Sequence, residues 1–299
     1  MNYRAAAWLI MLTLTFSEPI GAAELRAESA ASEAGDMQIR YDALRDQLDD
    51  NQFEQPICLN SNLKDERISG ELNGVILHPF ETARAAFRSA RNWCEIMMLH
   101  LNVKSCHASE NGSDHTLTVF VGGKQQQPLD SAYCGEYGYR VLDDRPDYFR
   151  VALSSDRGPL QTRNYRIVLE AVPIEHEQTF IHFSYSYDFG TLARTLKSIY
   201  FQTVGHDKVG FTVVDNGSDN RPVYIGGVRG ALERNIMRFY LAMKAYLGAL
   251  SVPPSERLEK RLQDWFALTE RYPVQLRELD KDEYLRMKRQ EHQRQAPNR

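Results

Sequence analysis

Residues 229–250 constrain the fold more than any other stretch. Leu232, Ile236, Phe239, Tyr240, Met243, Leu247 and Leu250 recur at spacings of three and four, with Glu233, Arg234, Arg238 and Lys244 at polar positions between them. This is the period of an amphipathic helix, and at ~1.5 Å per residue it exceeds ~30 Å in length. Such a helix needs an extended apolar partner, and the chain upstream supplies alternating strands. Leu117, Val119 and Val121 alternate with Thr116, Thr118 and Phe120, and residues 133–143, 148–155, 163–173 and 178–188 are four further runs of strand type. Phe149, Val151 and Leu153 share a face, as do Tyr165, Ile167, Leu169 and Ala171, and again Ile181, Phe183, Tyr185 and Tyr187. Strict alternation implies one buried and one wetter face, and short connections imply antiparallel pairing of sequential neighbours.

The flanking segments complete the outline. Residues 57–77 read as one long or hairpin-broken strand, punctuated at Gly70 and Asn73-Gly74. Pro79 opens a helical run with Phe80, Ala83, Ala86 and Phe87 on one face, and Asn92 is expected to cap a second short helix through His100. A helix near 190–203 and a strand at 208–214 precede the long helix. After Pro253-Pro254, Ser255 is expected to cap a helix carrying Leu258, Leu262, Trp265 and Phe266, which Pro273 ends. Residues 274–299 are highly charged and read as a solvated helix that frays, with Asp282 and Arg286 at i,i+4.

The N-terminus has the pattern of an export signal. Arg4 precedes an apolar run from Ala5 to Phe16, which Glu18 and Pro19 break before the small residues Gly21-Ala22-Ala23. The run is too short to span a bilayer, which takes ~20 helical residues, so cleavage near Ala23 leaves no transmembrane segment in the mature chain. A periplasmic location follows as an expectation. Residues 24–55 read as a linker or short helix, with Ile39, Leu44 and Leu48 on a weak apolar face.

Composition excludes more than it indicates. A chain of 299 residues that is 42% hydrophobic and 25% charged is neither disordered nor a polytopic membrane protein, and a net charge of -4 gives no hint of a nucleic-acid surface. Four cysteines, Cys58, Cys94, Cys106 and Cys134, suggest disulfides in an exported protein. A Cys94–Cys106 bridge would close a small loop and leave Cys58 and Cys134 to pair or stay free; spacing alone leaves all three pairings open. No metal set is read: the 8 histidines show no zinc spacing, and there is no C-x-x-C, nucleophile elbow or phosphate-binding glycine motif. No cofactor is expected.

The order of elements, together with particular runs, carries a resemblance. The runs are Asn92-Trp93-Cys94, Leu99-His100-Leu101-Asn102-Val103-Lys104 with Cys106, Gly158-Pro159-Leu160, Tyr165-Arg166-Ile167 and Tyr185-Ser186-Tyr187. Lys208-Val209-Gly210-Phe211-Thr212, Gly227-Val228-Arg229-Gly230, Glu233-Arg234-Asn235 and Trp265-Phe266 complete them. Over roughly residues 56–290 the chain resembles an exported bacterial branch of the START-like superfamily, also called SRPBCC. The resemblance implies an α+β helix-grip fold: a curved antiparallel sheet wrapped around a long C-terminal helix. Together with the N-terminal pattern, the resemblance divides the chain into a signal peptide at 1–23, a linker or short helix at 24–55, a START-like helix-grip domain at 56–252 and a charged helical extension at 253–299. Superfamily relatives bind lipids, sterols, polyketides or hormones between sheet and helix, and a few are cyclases or hydratases.

Three function classes follow. The leading one is a periplasmic binder or carrier of a hydrophobic small molecule or lipid. The others are a cyclase or lyase in the same cavity, and an envelope protein that docks to a partner with its cavity filled. A ligand gap of ~300–1,000 Å³ is expected. Trp93, Met97, Tyr185, Tyr187, Met237, Tyr240 and Met243 are its candidate lining, with Arg229 or Arg234 towards one end for an anionic group. Methionines and aromatics at helical spacing also build plain core, and the arginines equally suit ion pairs. No converging titratable cluster is visible, so no catalytic residue is assigned.

Overall fold

The computed structural model describes residues 20–111, 114–175, 177–189, 208–217 and 221–295. The helix expected near 190–203, most of the export signal and His176 lie outside these residues.

An N-terminal helix α1 (Ile20–Asp49) leads into the hairpin β1 (Ile57–Lys64) and β2 (Arg67–Ile76). Two short helices follow, α2 (Phe80–Phe87) and α3 (Ala90–Met97). Then come β3 (Val103–Asn111), β4 (Asp114–Val121), β5 (Tyr133–Asp144), β6 (Phe149–Arg157), β7 (Thr162–Ile174) and β8 (Gln178–Phe189). A small hairpin, β9 (Val213–Asn216) and β10 (Pro222–Tyr224), precedes the long helix α4 (Gly227–Gly248). The chain ends in α5 (Arg257–Thr269), the single turn α6 (Pro273–Leu276) and α7 (Lys281–Gln295).

Strands β1 to β8 form one curved antiparallel sheet in the order β1-β2-β8-β7-β6-β5-β4-β3. The strand that follows α2 and α3 therefore starts the far edge, and the meander returns to close on β2. The residues read as sharing a face do so: Phe149, Val151, Leu153, Ile167, Leu169, Ile181 and Phe183 are all buried in the main core with α4. The chain has the helix-grip fold.

Several local expectations are corrected. The first hairpin turns at Asp65-Glu66, where Asp65 takes a positive φ of 53°, and neither Gly70 nor Asn73-Gly74 breaks β2. Gly70 serves packing instead: a Cβ there would lie 2.6 Å from Ile236 Cδ1, so the missing side chain lets α4 press onto β2. Helix α3 is capped by Ser89, whose hydroxyl accepts from Asn92 N–H; Asn92 itself donates Nδ2–H to Ala86 O at 2.8 Å. Glu256, not Ser255, is the residue preceding α5, and it makes no side-chain cap. Residues 208–212 are not a strand; they lie along α4 and lead into β9.

The two terminal segments pack rather than dangle. Met37 and Leu48 of α1 cover Cys58, Val75, Tyr148, Val172 and Phe180 on the outer face of the sheet, while Ile39 is 68% exposed. The apolar face of α1 therefore runs through Met37, not Ile39.

Helix α7, expected as a solvated and fraying element, buries Tyr284, Leu285, Met287, Lys288 and Glu291. Lys288 Nζ donates to the carbonyls of His100 and Val103 at 2.7 and 2.8 Å, and to Glu291 Oε2 at 2.8 Å. Lys104 lies 3.2 Å from the other oxygen of Glu291. Gln295 Oε1 accepts the Cys106 N–H at 3.1 Å, which covers part of the exposed edge of β3.

Cys94 and Cys106 form a disulfide with Cα atoms 5.1 Å apart, tying α3 to β3. Cys58 and Cys134 are free thiols, one buried and one exposed. Their strands, β1 and β5, are five positions apart in the sheet, roughly 24 Å at the usual strand spacing, which no disulfide spans.

Candidate functional site

Helix α4 contacts β1, β2 and β8 closely, and the sheet curves away from it towards β3. A cavity of about 180 Å³ opens in that gap. Val103, Val119, Tyr137, Ile167 and Tyr185 reach it from five strands; Met97 closes it from α3; Asn235 and Phe239, one turn apart, face it from α4.

Four tyrosines form one wall. Tyr165 stacks on Tyr187 with ring centres 5.0 Å apart and an interplanar angle of 11°, and meets Tyr137 edge-on at 6.2 Å. Tyr185 stands edge-on to Phe239 at 6.3 Å. Burial pushes all four phenols up, Tyr165 to about 12, so they stay neutral and offer hydroxyl groups rather than charge. Tyr165 shares a 2.7 Å hydrogen bond with Thr162 Oγ1. The hydroxyls of Tyr137 and Tyr185 make no hydrogen bond among the described residues.

The opposite end is polar. His100 Nδ1 accepts the backbone N–H of Asn102 at 3.1 Å, so the neutral ring carries its proton on Nε2. That Nε2 is buried, and the Asn235 side chain is the polar group that interacts with the ring. The ring stacks on Phe239 at 5.1 Å. Burial, and then the positive charges of Arg238 and Lys288, hold the imidazole well below its ordinary range, so it is neutral. Asn102 is held by a 2.7 Å bond from its Nδ2 to Gly122 O.

Of the nine candidate lining residues, the structure brings Met97, Tyr185 and Tyr187 to the cavity. Trp93 is buried in the core and donates Nε1–H to Phe87 O at 2.7 Å. Met237, Tyr240 and Met243 are fully buried on faces of α4 turned into packed core, and none lines the gap. Arg229 is bound to Ser61, through Oγ at 3.0 Å and the carbonyl at 2.7 Å, and Arg234 donates to Val209 O at 2.9 Å. The cavity is also smaller than expected, because tyrosine rings and Phe239 occupy the space that small side chains would have left.

Sequence reasoning missed Tyr137, Tyr165, His100, Asn235 and Phe239 as lining. Tyr137 and Tyr165 carry the same alternation signal as Tyr185. Asn235 stands one residue outside the apolar stripe, which gives no reason to aim it at a pocket.

Three of the runs that carried the resemblance, 208–212, 227–230 and 233–235, meet in space. Glu233, buried in α4, accepts N–H groups of Phe211 and Thr212 at 2.6 and 2.9 Å. Gly230 lets this segment lie against the helix: a Cβ on it would sit 2.6 Å from Ile225 O and 2.9 Å from Gly210 N. These residues anchor the helix start. They do not touch the cavity.

No carboxylate lines the cavity among the described residues, and no three potential metal ligands converge among them. The arrangement can hold an apolar ring and satisfy a few neutral hydrogen bonds. Among the described lining residues it offers one imidazole, His100.

Comparison with known proteins assigns no family. No family model matches the chain, and no curated protein matches it. Among solved structures, a protein of Thermus thermophilus is similar at 11% identity and TM-score 0.41, over 62% of this chain and 99% of that one. Human StAR-related lipid transfer protein 5 is similar at 10% identity and TM-score 0.31, over 58% and 90%. A StAR-related lipid transfer protein of Xanthomonas axonopodis is similar at 10% identity and TM-score 0.33, over 48% and 85%. No helix among the described residues is long and apolar enough to cross a membrane.

Proposed function

We propose that the protein is a periplasmic binder of a small apolar molecule, held between the β3 side of the sheet and α4. The observation that carries this is the aromatic-walled cavity with His100, Asn102 and Asn235 at one end. Apolar protein cavities of ~150 Å³ hold one benzene-sized guest, so about 180 Å³ suits a ring or a short chain and is too small for a whole phospholipid. A bulk lipid carrier is therefore not favoured over a binder of small hydrophobic compounds. The absence of a carboxylate beside His100 among the described lining gives the cyclase reading no acid–base pair to use. Export is supported by the N-terminal pattern and by the disulfide, which persists in oxidising compartments.

Native mass spectrometry of protein recovered from its own periplasm tests this. The expected result is a bound mass far below that of a phospholipid. A phospholipid, or a protein that is empty and not stabilised by any small aromatic or aliphatic compound, would overturn it.

A further inference from the structure

We propose that Lys244 is a modification site whose side-chain amine takes up carbon dioxide reversibly as a carbamate. The residue stands on α4 and does not line the cavity.

Three observations point there. The first is the missing counter-charge. The residues one turn to either side on α4 are Tyr240, Leu241, Leu247 and Gly248, so the helix offers no acid at i,i+3 or i,i+4. No carboxylate among the described residues acts on the amine from elsewhere, whereas the Arg271 guanidinium does, and Lys244 in turn lowers His78. The second is how the amine is held. Nζ donates to Gln55 Oε1 and lies 5.5 Å from the centre of the Tyr240 ring. Gln55 is fixed by its own Nε2–H, which donates to the Tyr272 hydroxyl at 2.6 Å; that hydroxyl donates to Phe53 O at 2.8 Å. The Gln55 carbonyl therefore stays aimed at the lysine. A carbamate keeps one N–H, so the bond to Gln55 survives the modification. The third is partial exposure. Lys244 is half-buried: burial, and then Arg271, push it down to about 8, yet part of the residue stays open to solvent. Lys288 sits at a similar value but is fully enclosed and donates to Glu291 and two carbonyls.

Desolvation and a neighbouring cation are what make a lysine amine nucleophilic near neutral pH. The sign of the surroundings then selects the electrophile. A positive field that disfavours the ammonium favours an anionic product. Arg271 lies 4.0 Å from Glu54, whose carboxylate is 88% exposed, so that pair is loose and screened by solvent. The lone pair of the neutral amine forms a bond to the carbon of carbon dioxide, one C=O electron pair moves to oxygen, and an amine proton leaves to solvent. The reverse step needs only that proton back.

The full chain is equilibrated with carbon-13-labelled bicarbonate near pH 7.5 and trapped with triethyloxonium, which alkylates carbamates; peptide mapping then locates the label. At that pH an ordinary lysine, at about 10.4, holds on the order of a hundredfold less neutral amine than one at about 8. Trapped carbamate on Lys244 should exceed that on the exposed Lys64 and Lys281 by about tenfold or more. Arg271→Gln should lower the Lys244 yield several-fold, and purging carbon dioxide before trapping should abolish it. No label on Lys244, or label spread equally over Lys64, Lys244 and Lys281, would overturn the proposal.

Discussion

His182 Nδ1 lies 2.9 Å from Glu170 Oε2 on the outer face of the sheet, and its Nε2 lies 2.8 Å from Glu71 Oε2. Helix α1 closes over this trio. Arg150, 3.8 Å from Glu170, reaches Glu33 at 3.1 Å, and Arg40 lies 3.5 Å from Glu71. Burial alone would lower the His182 pKa, but the two carboxylates outweigh it and hold it raised. Burial would likewise raise Glu170, but bonds from His182 and Tyr148 bring it down to about 2.

A pH optimum of stability follows. Glu170 is depressed from 4.5 to about 2, so its contribution is present above pH 4.5 and lost as pH falls through the folded value. Discounted for partial exposure, it is worth about 2–3 kcal/mol. His182 is raised above 6.5, so its contribution is present below pH 6.5 and lost as pH rises through the folded value. Urea midpoints across pH should therefore peak between 4.5 and 6.5. His182→Gln should flatten the alkaline arm and Glu170→Gln the acid arm. Unchanged pH profiles in both variants would refute the coupling.

Glu291 is the counter-charge for two buried ammonium groups, Lys104 and Lys288. Burial is the main reason that Lys288 sits at about 8. Glu291→Gln leaves both ammoniums without a carboxylate and should cost ~3–5 kcal/mol in denaturant unfolding. A Glu291→Gln protein as stable as wild type would mean that α7 is not docked as described.

The Cys94–Cys106 bridge closes a loop with a sequence separation of 12. In the chain-entropy model its loss costs about 3 kcal/mol. Chemical denaturation with and without reductant should show a drop of that order, and peptide mapping should find Cys58 and Cys134 unpaired.

Met243 and Phe239 should behave oppositely. Met243→Ala empties packed core and should cost ~2–5 kcal/mol with little change in ligand affinity. Phe239→Ala opens a cavity wall and should change affinity for a bound ring by tenfold or more at a smaller stability cost. Calorimetric titration of both variants with the same ring compound checks the contrast.

Export predicts a mature N-terminus near Glu24. N-terminal sequencing of the periplasmic fraction should begin there. An intact Met1 in a cytosolic fraction would refute it.

The period-two strands and the period-three-and-four helix are local properties, and they determined the elements and their order from sequence alone; the helix-grip arrangement was what the resemblance implied. Phe149, Leu169, Ile181 and Ile236 each announce their burial through neighbours two to four residues away. Cavity position is not a local property. It depends on where a curved sheet leaves α4, and so on how β3 to β8 pair, which turned Asn235 and Phe239 to the gap and Met237, Tyr240 and Met243 to solid core. Lys288 and Glu291 look like surface residues in any window of sequence. Only the docking of α7 on β3, which brings Lys104 from far upstream into reach of Glu291, makes their burial favourable. Composition and alternation thus determined which faces are apolar. Tertiary structure decided which apolar face closes tightly and which leaves room, because that choice is set by long-range packing and by pairing of charges remote in the chain.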